Sequence, residues 1–254
     1  MLDARAKYSD VNIYNPETIT TSIFAQGQTF SSMLLRAKRD LLLKYCKGRL
    51  VLDLGCADGR HLNEISDAIQ FGIGIDFSIP FIRRAVGGQE SGTHKNIFLV
   101  GDVTRLPLKA NSMGCIYSFA TLYYIDEIER IYAEISRVLS RDGVALLEVG
   151  NSRSFATLVS RHFPDLASHS RMRISDHLCA IKENNLRIKE WRSFQILPFW
   201  GDRPGWLNIV FRRPWLERLA MIVVGGRMLD EWISSSRLFR RFAFRHLLVL
   251  ERER

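Results

Sequence analysis

Leu50-Val51-Leu52-Asp53-Leu54, followed at once by Gly55-Cys56-Ala57-Asp58-Gly59, decides the fold. The first five residues are apolar but for Asp53, and so short a run reads as a strand covered on both faces. Gly55 and Gly59 end it, because glycine lets the backbone turn sharply and approach a ligand closely. A helix marked by Leu62, Ile65 and Ile69 comes next, with the free N–H groups of its first turn aimed back at the loop. Strand, glycine turn and helix in that order make a ligand-loop candidate.

Upstream, Phe30, Met33, Leu34, Ala37, Leu41 and Tyr45 recur at spacings of three and four, which predicts an amphipathic helix over 29–46 behind a polar N-terminal arm. Downstream the pattern alternates. Phe71 to Asp76 reads as a second strand, and Ser78 with Pro80 opens a helix. Asn96 to Gly101 is a third strand and Met113 to Phe119 a fourth. Asp126-x-x-Glu129 resembles a capping box at the start of a helix carrying Ile128, Ile131, Tyr132, Ile135 and Leu139. Arg141-Asp142-Gly143 is expected to stop that helix, and Gly143 to Val149 to form the fifth strand. Segments 186–197 and 242–251 have period-two stretches that close the sheet as an antiparallel pair. The fold expected is α/β and Rossmann-like, a doubly wound seven-stranded sheet with a helical insertion over about 200–241 between its last two strands.

The 254 residues, 46% hydrophobic and 25% charged, suffice for one sizeable domain and exclude a disordered chain. No run approaches the ~20 apolar residues that cross a bilayer. Met1-Leu2-Asp3-Ala4-Arg5 opens polar, so the expected setting is cytoplasmic. Four scattered cysteines form neither a C-x-x-C site nor a disulfide framework, in keeping with a reducing compartment. The net charge of +9 is uneven: from Trp191 onward there are twelve arginines, no lysine and six acids. Between Trp200 and Arg241, Trp206, Phe211, Trp215, Leu219, Ile222, Val223, Met228, Leu229, Trp232 and Ile233 are interleaved with Arg203, Arg212, Arg213, Arg218 and Arg227. Basic and aromatic residues on short amphipathic elements suit an anionic membrane face, while inward-packed tryptophans with solvated arginines are the plainer alternative.

In an open α/β sheet, ligands bind beyond the carboxyl ends of the strands. Three acids fall there: Asp53 before the first loop, Asp76 closing the second strand and Asp102 after the third. The segments Val51 to Gly59, Gly74-Ile75-Asp76-Phe77-Ser78, Gly101-Asp102-Val103 and Arg141-Asp142-Gly143-Val144 together resemble the class I S-adenosylmethionine-dependent methyltransferases, over residues from about 30 to 150. The resemblance implies S-adenosyl-L-methionine as cofactor. It gives Asp53, Gly55, Cys56, Ala57 and Gly59 to the loop around the cofactor's methionine and ribose, Asp76 and Phe77 to the ribose, and Asp102 and Val103 to adenine. Ser118, at the end of the fourth strand, joins this set. Ala57 departs from the family by standing where the middle glycine is commonest. The Gly-x-Gly-x-x-Gly spacing of nicotinamide enzymes is not met, because Ala57 and Arg60 occupy the later glycine positions.

The resemblance further divides the chain into an N-terminal arm and helix (1–46), a cofactor-binding core (47–150) and an acceptor side (151–254). No Asn-Pro-Pro-Tyr follows the fourth strand, which disfavours methylation of nucleic-acid bases. Tyr123-Tyr124 stands where many small-molecule members carry paired histidines. Tyr124, His162 and His169 are the candidate catalytic residues, with His177 and Glu148 as further candidates for a base. The acceptor expected is an oxygen of a glycan, a lipid-linked molecule or a hydrophobic small molecule. A catalytically silent binding protein and an RNA methyltransferase are the alternatives.

Overall fold

The computed structural model describes residues 21–24, 26–88, 95–161, 170–197 and 214–253. The 29–46 periodicity becomes helix α1 (Phe30–Tyr45), capped by the Thr29 side chain on the Ser32 N–H. Strand β1 (Leu50–Leu54) leads through the glycine loop into a short α2 (Arg60–Glu64) and then β2 (Phe71–Asp76). Helix α3 (Ile79–Gly87), β3 (Asn96–Val100), β4 (Met113–Ser118), α4 (Ile128–Val138) and β5 (Leu139–Gly150) continue the alternation. After β5 come α5 (Phe155–Arg161), α6 (Ile174–Glu183) and β6 (Leu186–Phe194). Helix α7 (Pro214–Ala220), a two-residue ribbon of Val223–Val224 with Arg227–Met228, and α8 (Leu229–Ser235) then separate β6 from β7 (Arg245–Arg252).

The sheet order is β3-β2-β1-β4-β5-β7-β6, parallel from β3 to β5 and antiparallel at β7 and β6. The order reverses between β1 and β4, the crevice where an open sheet receives a ligand. Successive residues of each strand point to opposite faces. Cys115, Tyr117, Val144, Leu146, Leu247 and Val249 therefore join the cluster under α1, whereas Ile116, Ala145, Leu147, Leu248 and Leu250 join that under α4 and α6. Coverage on both faces explains why β1 and β5 read as nearly continuous apolar runs.

Three local expectations differ. Asp126-x-x-Glu129 is not a capping box: Glu127 occupies the cap position without a side-chain hydrogen bond, and Asp126 pairs instead with Arg171. The helix also ends at Val138, before Arg141-Asp142-Gly143, which lies inside the long β5. The β5 edge there pairs with Met113, so ladder bonds win over helix continuation. Helix α2 stops at Glu64, and a 3-10 turn over Ser66–Ala68 carries the chain to Ile69.

Ile116 is fully buried in β4, between β1 and β5. Ile116→Ala is expected to cost about 2–5 kcal/mol, seen as a lower urea midpoint with unchanged slope.

Candidate cofactor and acceptor site

The loop after β1 is fixed to the end of β2. The Ile75 carbonyl accepts from the N–H of Gly55 (2.8 Å) and of Cys56 (3.2 Å). The Asp76 carboxylate accepts from the Ala57 N–H at 3.0 Å and the Ser78 N–H at 2.9 Å. Gly55 and Gly59 have φ of +78° and +70°, and a Cβ on either would lie within 2.4 Å of Thr121 or Phe98 atoms. Only glycine fits at these two places. Ala57 has φ of +46°, so the residue that departs from the family pattern still adopts the left-handed conformation natural to glycine. Its hydrogen bond to Asp76 offsets that strain.

Asp53 pairs across the sheet with Tyr117 and is buried. Burial is the chief cause that raises its carboxyl to about 8; the Tyr117 hydroxyl opposes the shift, and repulsion from Asp76 and Asp58 adds to it. Burial likewise raises Asp76, against the N–H groups that bond it. Among the described residues no cation forms an ion pair with Asp53 or Asp76, and Asp58 has only Arg60 at 3.9 Å. Asp53 and Asp76, buried and without an ion-pair partner among the described residues, fit a cationic ligand. S-adenosylmethionine, with its sulfonium and ammonium groups, has that charge. Asp53 and the loop from Gly55 to Gly59 would hold its methionine portion, and the remaining lone pairs of Asp76 its ribose hydroxyls.

Phe77 is exposed, directly after Asp76 at the end of β2. Asp102 accepts from the N–H and hydroxyl of Thr104 at 2.9 and 2.7 Å, which orients its carboxylate past β3. Cys56 is buried, and burial pushes its thiol up, so it lines the loop as an apolar group. Val103 packs into the core. Ser118 is turned away from the crevice: its fully buried hydroxyl donates to the Leu54 carbonyl at 2.9 Å and ties β4 to β1. It acts through that tie, not through a ligand contact.

A second group of residues, without a sequence motif, surrounds the exit of β4. Glu148, fully buried in β5, lies 2.6 Å from Lys38 of α1 and 2.6 Å from Arg245 of β7. It also accepts the Ala120 N–H at 2.9 Å, holding Ala120 at φ of +58°. Despite burial, Lys38 and Arg245 bring its carboxyl down to about 2. Glu148 is thus no base near neutral pH; it is an anchor for the turn. Lys38 also lies 5.2 Å from the Phe119 ring centroid. His61, in the first turn of α2, meets the same ring edge-on at 6.3 Å, and its Nε2 contacts the Thr21 carbonyl at 3.0 Å.

Tyr123 is buried against Phe244 and accepts from Arg245 at 3.3 Å, while half-buried Tyr124 packs edge-on to it. His177 is buried beneath α6 against Tyr132, and burial lowers its pKa to about 4. It lies in the core cluster region and faces no ligand loop. His162 and His169 lie outside the described residues. The sequence signal for the missed group was available: Lys38 sits four residues after Leu34 on a buried stripe, and Glu148 interrupts an apolar strand. Charges at such positions need partners.

This crevice and sheet order define the class I S-adenosylmethionine-dependent methyltransferase fold. Residues 52–147 match the family described as a methyltransferase domain. A sterol 24-C-methyltransferase of Aspergillus fumigatus is 31% identical over 127 residues, 48% of this chain and 33% of that protein, so the chain spans a third of that relative's length. An S-adenosylmethionine-dependent methyltransferase structure from Mesorhizobium loti superposes with a TM-score of 0.59 at 17% identity, over 86% of this chain and 97% of that one. Geranyl diphosphate C-methyltransferase from Streptomyces coelicolor, solved with geranyl diphosphate and S-adenosyl-L-homocysteine, gives 0.54 at 16% identity, over 85% and 79%.

Two measurements probe the two carboxylates. Below about 8 Asp53 is largely protonated, so a cation docking beside it must release a proton. Calorimetric titration with S-adenosylmethionine at pH 7, in buffers of differing ionisation enthalpy, is expected to show that release in the wild type and a smaller one in Asp53→Asn. Glu148 behaves oppositely. Its depressed carboxyl stabilises the fold above the usual ~4.3 and loses that contribution as pH falls toward about 2. Lys38→Met leaves the buried charge half compensated and is expected to cost about 3–5 kcal/mol at pH 7 in urea unfolding.

Proposed function

We propose that this protein transfers the methyl group of S-adenosylmethionine to an oxygen of a hydrophobic or lipid-linked acceptor, with residues 151–254 forming the acceptor side. The observation that carries the reading is the buried pair Asp53 and Asp76, without an ion-pair partner among the described residues, at the place where the sheet order reverses. Bound there, S-adenosylmethionine supplies an activated methyl group. The chain's own task is then to align the acceptor, worth up to about 7–11 kcal/mol of barrier, and to accept a proton. Phe119, Tyr124 and the Phe244-backed Tyr123 give the exit of β4 an aromatic lining suited to an apolar acceptor more than to a glycan. The sterol and geranyl diphosphate specificities in the names of two similar proteins support an acceptor of that kind.

His61 takes the role of proton acceptor in this reading, alongside His162 and His169 from the sequence. A carbonyl only accepts, so the contact with Thr21 makes Nε2 the protonated nitrogen and leaves the Nδ1 lone pair for a substrate proton. Burial lowers its pKa below the ordinary 6.5, which keeps the ring neutral at pH 7. A carbon acceptor is the second reading, favoured by the C-methyltransferase names of those same two proteins.

Incubation of the protein with methyl-labelled S-adenosylmethionine and fractionated lipid, glycan and RNA extracts is expected to label a lipid fraction, and spectroscopy of the product assigns oxygen or carbon. Label appearing solely in RNA or glycan would overturn the acceptor class, and bound cofactor with no labelled fraction would favour a silent member. His61→Asn is expected to slow transfer about 10²–10⁴-fold, removing an acid limb that lies below pH 6.5 in the wild type.

A further inference from the structure

The segment from α7 to β7 sorts its charges by side. Of its acids, Glu217 accepts the Phe30 N–H at 3.4 Å, Asp230 accepts the N–H groups of Gln195 (2.7 Å) and Ile196 (3.2 Å), and Glu231 pairs with Arg192 at 2.7 Å. All three face the body of the protein, and Asp230 and Glu231 are each only 1% exposed. Arg218, Arg227, Arg237 and Arg241 are exposed. On this segment the outward-facing charge is therefore cationic among the described residues, although its sequence mixes both signs.

Large apolar side chains are exposed on the same segment. Trp215 and Leu238 are each 62% exposed, Val223 55% and Trp232 49%. The ribbon turns through Gly225 and Gly226, both at positive φ, which puts Val223 and Val224 at its end. Trp232 braces that end, donating to the Val224 carbonyl at 2.8 Å while Arg227 lies 5.7 Å from its ring centroid. The plainer expectation of inward-packed tryptophans fails for these two. A monomer gains nothing by presenting aromatic and branched side chains to water, and several of them on one segment, with Trp232 bonded to Val224, mark an interaction surface.

We infer that the Val223–Val224 tip, Trp215, Trp232 and Leu238 enter the headgroup region of an anionic lipid bilayer, with Arg227, Arg237 and neighbouring arginines on the phosphates. Charge complementarity selects this occupant: apolar tip, aromatic bracing and exposed arginines, of which Arg227 also lies 3.6 Å from Glu231, together match a negatively charged interface. Among the described residues no helix is long and apolar enough to cross a membrane, so the contact is peripheral. The patch is joined to the acceptor side, because Asn151, just after β5, donates to the carbonyls of Arg241 and Ala243. An acceptor drawn from the bilayer would thus reach the crevice close to where the protein docks. The inference rests on the proposed lipophilic acceptor for its purpose, yet docking is measurable without any methyl transfer.

The test is flotation of the full chain with vesicles of phosphatidylcholine alone and of phosphatidylcholine mixed with phosphatidylglycerol. Wild type is expected to float with the anionic vesicles, less so at high salt. Val224→Asp is expected to weaken this at least tenfold, and Arg227→Gln with Arg237→Gln roughly thirtyfold at about 1 kcal/mol per charge. Both variants should keep wild-type S-adenosylmethionine affinity, which certifies the fold. Wild type that stays with neither vesicle, or that shifts RNA or a soluble protein instead, overturns the docking surface; so does equal flotation of Val224→Asp. Flotation without lipid methylation would leave docking standing and remove the acceptor reading, whereas lipid methylation in detergent without flotation would do the reverse.

Discussion

Burying a carboxylate costs several kcal/mol unless its charge is balanced, and this sheet buries two on either side of β4. Glu148 of β5 has its counter-ions within the chain, Lys38 and Arg245. Asp53 of β1 has none among the described residues. That difference separates structure from function here. The balanced charge is locked and organises backbone, whereas the unbalanced one is left available to a cation from outside. The turn leaving β4 links the two, since Ala120 bonds Glu148 while Thr121 fills the space a side chain at Gly55 would need.

Much of this was legible in the sequence where the physics is local. A strand covered on both faces leaves an apolar run, an amphipathic helix leaves a stripe, and a backbone at positive φ favours glycine, so β1, α1 and the loop ends at Gly55 and Gly59 could be read directly. What escaped depends on distant chain segments. Lys38, Glu148 and Arg245 are separated by about a hundred residues from one another, and nothing in a linear pattern says that they meet. Ser118 illustrates the same limit: its place at a strand end matches a ligand position, but the hydroxyl is committed to Leu54. The helix boundary near Val138 moved because an edge of β4 was available to pair with, a fact that belongs to the sheet and not to the segment.

The C-terminal third completes the sheet. β7 enters between β5 and β6 and carries Arg245 to Glu148, while α8 braces the outer strand through Arg192 and Glu231. The segment leading into β7 also directs Glu217, Asp230 and Glu231 inward and exposes Arg218, Arg227, Arg237 and Arg241. A single run of sequence both stabilises the fold and gives it a chemically distinct exterior.

Two alanines, Ala57 and Ala120, occupy backbone conformations that alanine disfavours, and each donates its N–H to a carboxylate, Asp76 and Glu148 respectively. Each acid is consequently bound into the shape of the turn it serves. Evolutionary drift at either acid is constrained until a glycine first relaxes its turn, so the order in which substitutions arise matters. A substitution of either acid thus removes the bond that holds a strained alanine in place, so the two turns tolerate change less readily than the outer helices do.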